Sequence, residues 1–352
     1  MTLTPTLEGM EKLIKLTEVS KVNPCILLVC HASAALGIGH LTRMLALGKS
    51  MRKKEFHNLR LLILGEEVSR SELVGLSPCF LPLEMDFSLE VRSQVEDILP
   101  QVVVFDLNPQ LLSDDLESLF AWLSQRGIRI VGVDSLLVFC NSIDLTWIPS
   151  FFVHPGKLSH CMGNTKYGWD SYLIQKRLPS KTWSPGSRVL VLTGGSDSTG
   201  QGEALPQKLD AVLPLDTEIH WVRGPFAKPP TLPSMPRLGW VVHEAPDGLD
   251  ELIVESNYAL AIYGVSFFEL LQYGIPTVVF SPYGGKDDLE LNALREEQVS
   301  AVSIDTESAV LDLVRLMGDI ETARRYSNMA MERLSANGSD CMAEHLASLI
   351  EN

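Results

Sequence analysis

Short apolar runs rich in β-branched residues recur along the first half of the chain, at residues 25–30 (CILLVC), 59–64, 101–106 (QVVVFD) and 128–134 (IRIVGVD). Runs of this length without apolar/polar alternation suit strands buried on both faces. Between them lie stretches of helical periodicity, such as 41–54 and 114–126, so strand and helix alternate. The alternation predicts a parallel sheet with helices on both of its faces.

The pattern pauses at 179–187 (PSKTWSPGS), where two prolines, a glycine and three serines mark a linker. It then restarts with runs at 188–193 (RVLVLT), 219–222, 240–242, 258–263 and 277–281. The expected organisation is a helical N-terminal extension over 1–23, a doubly wound α/β domain over 24–178, the linker over 179–187, a second such domain over 188–335 and a C-terminal helix over 336–352. A length of 352 residues suits two domains. Ligands of such sheets bind beyond the strand C-termini, so the cleft between the two units is the expected site.

With 45% hydrophobic and 21% charged residues, the composition excludes disorder and low-complexity scaffolds. Lys and Arg total 29 against 44 Asp and Glu, a formal charge of -15. Tracking a nucleic acid requires the opposite balance, so nucleic acid is not an expected partner, although a local basic pocket for one or two phosphates stays open. Cys25, Cys30, Cys79, Cys140, Cys161 and Cys341 form no CxxC pair and no metal-ligand spacing. They are expected to be reduced thiols of a cytoplasmic protein, with no metal. No apolar run approaches the ~18 residues of a membrane span. Glu8, Glu11 and Glu18 make residues 1–23 unlike a cleavable signal.

Three segments carry candidate chemistry. The first strand runs into Ala34-Ala35-Leu36-Gly37-Ile38-Gly39-His40-Leu41-Thr42-Arg43. Its glycines allow a tight turn and close approach to a ligand, and the helix that follows offers free N–H groups to an anion. The third glycine of a dinucleotide fingerprint is replaced by Thr42, which argues against a nicotinamide or flavin. His40 lies where the turn exposes it to the cleft, as a general base or as a structural histidine. At the matching point of the second half, Gly194-Gly195-Ser196-Asp197-Ser198 leaves room for a phosphate. Further on, a strand ends at Gly264, a helix opens near Val265 and Ser266, and Glu269 lies in its first turn. Glu269 either closes a capping box with Ser266 or accepts the hydroxyls of a ribose. After the next strand, Asp287 and Asp288 are either sugar-binding or a solvated acidic loop.

Taken in order, GIGHLTR at 37–43, YGWDSYLI at 167–174, GGSD at 194–197 and the strand, glycine, helix-Glu, GIP, DD-x-x-x-N succession at 258–292 resemble the GT-B superfamily of nucleotide-sugar enzymes. Within it they are most similar to the UDP-sugar hydrolases of pseudaminic acid biosynthesis, then to the peptidoglycan N-acetylglucosaminyl transferases. The resemblance spans residues 25 to about 305. It implies two Rossmann-like domains facing a central cleft, the first on the acceptor side with the catalytic base, the second holding the nucleotide sugar.

On that resemblance His40 is the base. Gly194, Gly195, Ser196, Gly264, Val265 and Ser266 hold the diphosphate, and Glu269 takes the ribose. Gly37, Gly39, Arg43, Asp287, Asp288 and Asn292 complete the nucleotide-sugar set. Arg223 is either a cation for the leaving group or a surface arginine. No metal or other cofactor is implied. The expected activity is glycosyl transfer from a UDP-sugar to an acceptor that is a small molecule, a glycan or water. The alternatives are a nucleotide-sugar hydrolase releasing UDP and free sugar, and a noncatalytic binder. No carboxylate constellation suggests a C2 epimerase. The chain departs from the hydrolase pattern at His31 and Ala32, where an acidic residue is usual, at Ser135, and between Asp288 and Asn292.

Overall fold

The first strand, β1 (Ile26–Ala32), is buried at every position and therefore belongs at the centre of a covered sheet. In the computed structural model, which describes residues 24–112, 115–161 and 163–351, it pairs in parallel with β2 (Leu59–Gly65) on one side and β4 (Val102–Asp106) on the other. With β3 (Pro78–Leu81), β5 (Arg129–Val133), β6 (Leu145–Trp147) and β7 (Thr165–Lys166) these form a parallel sheet of order β3-β2-β1-β4-β5-β6-β7. The helices of this half include α1 (Gly39–Lys53), α2 (Phe87–Ile98) and α3 (Leu116–Ser124). The expected N-terminal extension over 1–23 lies outside the described residues.

The second half repeats the plan. Strands β8 (Arg188–Leu192), β9 (Glu218–Arg223), β10 (Gly239–Glu244), β11 (Tyr258–Ile262), β12 (Thr277–Phe280) and β13 (Ala301–Val302) form a parallel sheet of order β10-β9-β8-β11-β12-β13. Its helices include α4 (Gln201–Val212), α5 (Asp250–Val254), α6 (Val265–Gln272), α7 (Asp288–Glu297), α8 (Thr306–Gly318) and α9 (Ile320–Arg333). In each sheet the winding reverses beside the first strand, between β1 and β4 and between β8 and β11. Such a switch point opens a crevice at the strand C-termini. The linker at 179–187 has neither helix nor strand.

The last helix, α10 (Gly338–Glu351), returns to the first domain, where Met342, Ala343 and Leu346 join the core that holds Leu41, Leu45 and Leu47 of α1. Gly338 permits this return. A Cβ there would stand 2.4 Å from the Tyr172 carbonyl oxygen.

One expectation from the sequence fails here. Cys140 and Cys161 are not free thiols but a disulfide, with Cα atoms 5.6 Å apart across 21 residues. Pairing of β5, β6 and β7 brings the end of the 3-10 segment Asp134–Phe139 beside the turn after Pro155–Leu158. No sequence spacing announces that meeting. The other four cysteines are free. Among the described residues no helix is long and apolar enough to cross a membrane.

Candidate active site

The two switch points face one another across a cavity of about 490 Å³, within the range of small-molecule sites. On the first-domain side, β1 ends in a tight turn in which Ser33 and Gly37 exchange backbone hydrogen bonds at 3.2 and 2.7 Å. Gly37 takes φ +73°, a conformation open to glycine at little cost. Helix α1 then starts at Gly39, placing His40 and Arg43 three residues apart on one face.

Both side chains converge on Asp106, the last residue of β4, which is 0% exposed. Arg43 donates from Nε to one carboxylate oxygen and from a terminal nitrogen to the other, each at 2.7 Å. His40 Nδ1 lies 2.7 Å from the second oxygen. Burial alone raises a carboxyl, but the charges and hydrogen bonds of Arg43 and His40 outweigh it and hold Asp106 well below the usual carboxylate range. Asp106 is therefore ionised and accepts only, so the proton of the short contact resides on His40 Nδ1. In the neutral ring Nε2 then carries the free lone pair, the state a general base requires.

Asp134, held at φ +56° just beyond β5, adds a second carboxylate 3.4 Å from Arg43. Behind His40, the buried His31 ring meets it edge-on at 6.1 Å. His31 Nδ1 accepts from the Asn108 N–H at 3.1 Å. Burial, with the neighbouring His40, lowers His31 to about 4, so it is neutral at ordinary pH.

On the facing side, Gly194 (φ +87°) and Gly195 follow β8 and press against the first loop. A Cβ on Gly195 would stand 2.8 Å from Ile38 Cγ1 and 3.1 Å from the Ile38 nitrogen. Gly224 backs this loop so closely that its Cβ would come within 2.4 Å of the Gly195 carbonyl oxygen. Helix α6 opens without a side-chain cap, and its first residues, Val265 and Ser266, line the cavity. Its N–H groups and dipole are thus available to an anion.

The capping-box alternative for Glu269 is not formed. Glu269 is instead one of the residues that line the cavity. Burial, reinforced by Asp250 and only partly countered by Arg70 and Arg177, pushes its carboxyl up to about 7.

The cavity is lined by Gly37, Gly39, His40, Arg43, Gly194, Gly195, Ser196, Gly264, Val265, Ser266, Glu269 and Asp287. Arg43 is nonetheless committed to Asp106, which leaves it less free to meet a ligand. Arg223, Asp288 and Asn292 do not line the cavity. The Arg223 guanidinium donates to the Ala227 carbonyl and to Glu244, the surface alternative. Asp288 and Asn292 are exposed on α7, with Asn292 accepting from Arg295.

Three groups had no role in the sequence reading. Asp106 ends the apolar run at 101–106, and an acid closing a buried strand is the available signal. Lys286 lines the cavity with no ion-pair partner among the described residues, its ammonium 5.9 Å from the Tyr283 ring. The third is a clasp at one end of the cavity. There Glu72 pairs with Arg70 at 2.9 Å and with Arg177, and Arg177 reaches Asp250 at 3.5 Å. Arg70 also donates to the Asp247 carbonyl, which ties the first domain to the second. No local pattern marks this clasp.

No protein-family model matches the chain, and no curated protein sequence does. Solved structures do. Phytolacca americana UGT2, complexed with UDP-2-fluoro-glucose and pterostilbene, aligns with TM-score 0.61 at 13% identity over 93% of this chain and 100% of that one. The fold is GT-B. The spinosyn forosaminyltransferase SpnP aligns with TM-score 0.62 at 12% identity over 94% of this chain and all of that one. Acinetobacter baumannii MurG gives 0.57 at 12%, over 92% and 100%. At such identities the likeness is one of fold.

Proposed function

We propose that the chain is a glycosyltransferase that takes a UDP-sugar donor and uses His40 as general base on the acceptor hydroxyl. The observation that carries the reading is the 2.7 Å contact of His40 Nδ1 with ionised Asp106, which leaves Nε2 free in a ring that lines the same cavity as an uncapped helix N-terminus. Glycosyl transferases among the fold neighbours, one of them bound to a UDP-sugar analogue, support the donor class.

In the step proposed, Nε2 takes the proton from the acceptor hydroxyl as its oxygen bonds to the anomeric carbon. The bond from that carbon to the β-phosphate oxygen breaks, and its electron pair leaves with UDP. The first-turn N–H groups of α6 and the Gly194-Gly195 loop meet the growing charge. Lys286 adds the unpaired cation that Arg223 does not supply. Glu269 accepts ribose hydroxyls from its ionised form. No metal enters the step.

The test is incubation with a panel of UDP-sugars, with and without hydroxyl acceptors, while UDP release and sugar products are followed. Wild-type protein is expected to release UDP in an acceptor-dependent way, and His40→Ala to lose ~100-fold or more. Equal release without acceptor, giving free sugar, would instead identify water as the acceptor, as in the hydrolases whose motifs the chain resembles. Failure of UDP and of every UDP-sugar to raise the melting temperature would refute the donor class. An unchanged rate in His40→Ala would refute the base.

A further inference from the structure

We propose that Arg43 is a positioning residue that keeps His40 neutral and ready to accept a proton, by claiming the charge of Asp106 for itself. The inference rests on the reading of His40 as the base, and it concerns the group that sets that base's protonation state. A carboxylate facing a histidine alone favours the imidazolium, because the charged pair gains Coulomb energy in a dry site. Asp106 does not face His40 alone. Arg43 holds both of its oxygens at 2.7 Å, and a guanidinium nitrogen stands 3.0 Å from His40 Nδ1 itself.

The 3.0 Å approach sets the guanidinium charge directly beside the ring, with Asp106 as the acceptor that both side chains share. A second proton on the ring would set two cations side by side against one buried carboxylate. The contact therefore disfavours the imidazolium until a substrate hydroxyl supplies the proton. Asp134, 3.4 Å from Arg43 and 43% exposed at its side chain, is placed to offset part of the added charge at that moment.

The other groups around the ring do not replace Arg43. Cys30 and His31, from β1, are both uncharged: burial pushes the Cys30 thiol up and lowers His31. Asp106 comes from β4, Arg43 from the ring's own helix and Asp134 from beyond β5. Across the cavity, Glu269, Lys286 and Asp287 line the same space.

The test is the pH titration of the His40 ring resonances by NMR, assigned by their loss in His40→Gln and read beside the acid limb of kcat/KM. Arg43→Met removes the charge and keeps much of the stem. The His40 midpoint is expected to rise by about one to three pH units, the range for a charge at this separation. The acid limb should rise with it, and Arg43→Lys, which keeps a cation, should restore most of the wild-type value. Arg43→Met also leaves a buried carboxylate unpaired, so a second comparison guards against misfolding: Asp106→Asn against the Arg43→Met/Asp106→Asn double variant. There the single variant should titrate lower, by a unit or more. Midpoints that do not differ within either pair would overturn the inference while leaving His40 as the base. A shifted midpoint in a protein that turns over no UDP-sugar would uphold it and sink the proposed function instead.

Discussion

Glu269 links the electrostatics of the cleft to a measurable affinity. Its carboxyl, pushed up to about 7 by burial beside Asp250, is about one-tenth ionised at pH 6 and about nine-tenths at pH 8. If only the ionised form accepts the ribose hydroxyls, affinity for UDP is expected to rise about tenfold over that interval, or about 1.4 kcal/mol. The diphosphate itself gains charge near pH 6, so the informative quantity is the difference between wild type and Glu269→Gln in calorimetric titrations at each pH. Subtraction removes the ligand's own titration.

Stability provides an independent check with the opposite sign. The folded carboxyl binds its proton more tightly than the unfolded one, so between the usual carboxylate range and about pH 7 the folded state holds the extra proton. The contribution is fully present below that range and is lost as pH rises through about 7. Glu269→Gln should flatten this fall in denaturation experiments. A pH-independent affinity difference, or Glu269→Gln binding UDP as tightly as wild type at pH 8, would refute both the assigned role and the assigned environment.

Further outcomes follow from the geometry. Asp106→Asn should lower kcat by about 10²–10⁴, roughly 3–5 kcal/mol of barrier, with circular dichroism unchanged, because an amide no longer fixes the imidazole tautomer. A rate within a few-fold of wild type would contradict the pairing seen at 2.7 Å. Gly195→Val drives its Cβ into Ile38, 2.8 Å away, and should cost about 1–3 kcal/mol in chemical denaturation while weakening UDP binding; unchanged values would mean the two loops do not press together. Thiol titration of the unfolded, unreduced chain should find four reactive cysteines and, after reduction, six. Replacing Cys140 and Cys161 by serine should cost about 3 kcal/mol, the value for a loop of this length, and six thiols before reduction would exclude the bond.

Fold class and the expected place of the cleft follow from local pattern. Continuous apolar runs such as 25–30 and 188–193 have one stable home, the middle of a covered parallel sheet, and glycine loops after them mark strand C-termini whatever lies further away. His40, Gly194, Gly195 and Glu269 stand out as candidates for that reason, each two to eight residues beyond its strand. The short strands β3, β6, β7 and β13 were not, because two to four residues carry too little pattern to separate from loop.

Tertiary structure alone decided the partners. Asp106 lies 66 residues from His40, and only the β1–β4 pairing brings the two together. Cys140 meets Cys161, Arg177 meets Glu72, and α10 returns to the first domain through contacts of the same long-range kind. Arg223 and Asn292 show the converse: each stands in a candidate stretch of sequence, but its side chain bonds to a residue three or four positions on and stays out of the cavity. Local pattern fixes where a backbone turns. Which charges then share a carboxylate depends on distances between strands, and those exist only once the sheets have formed.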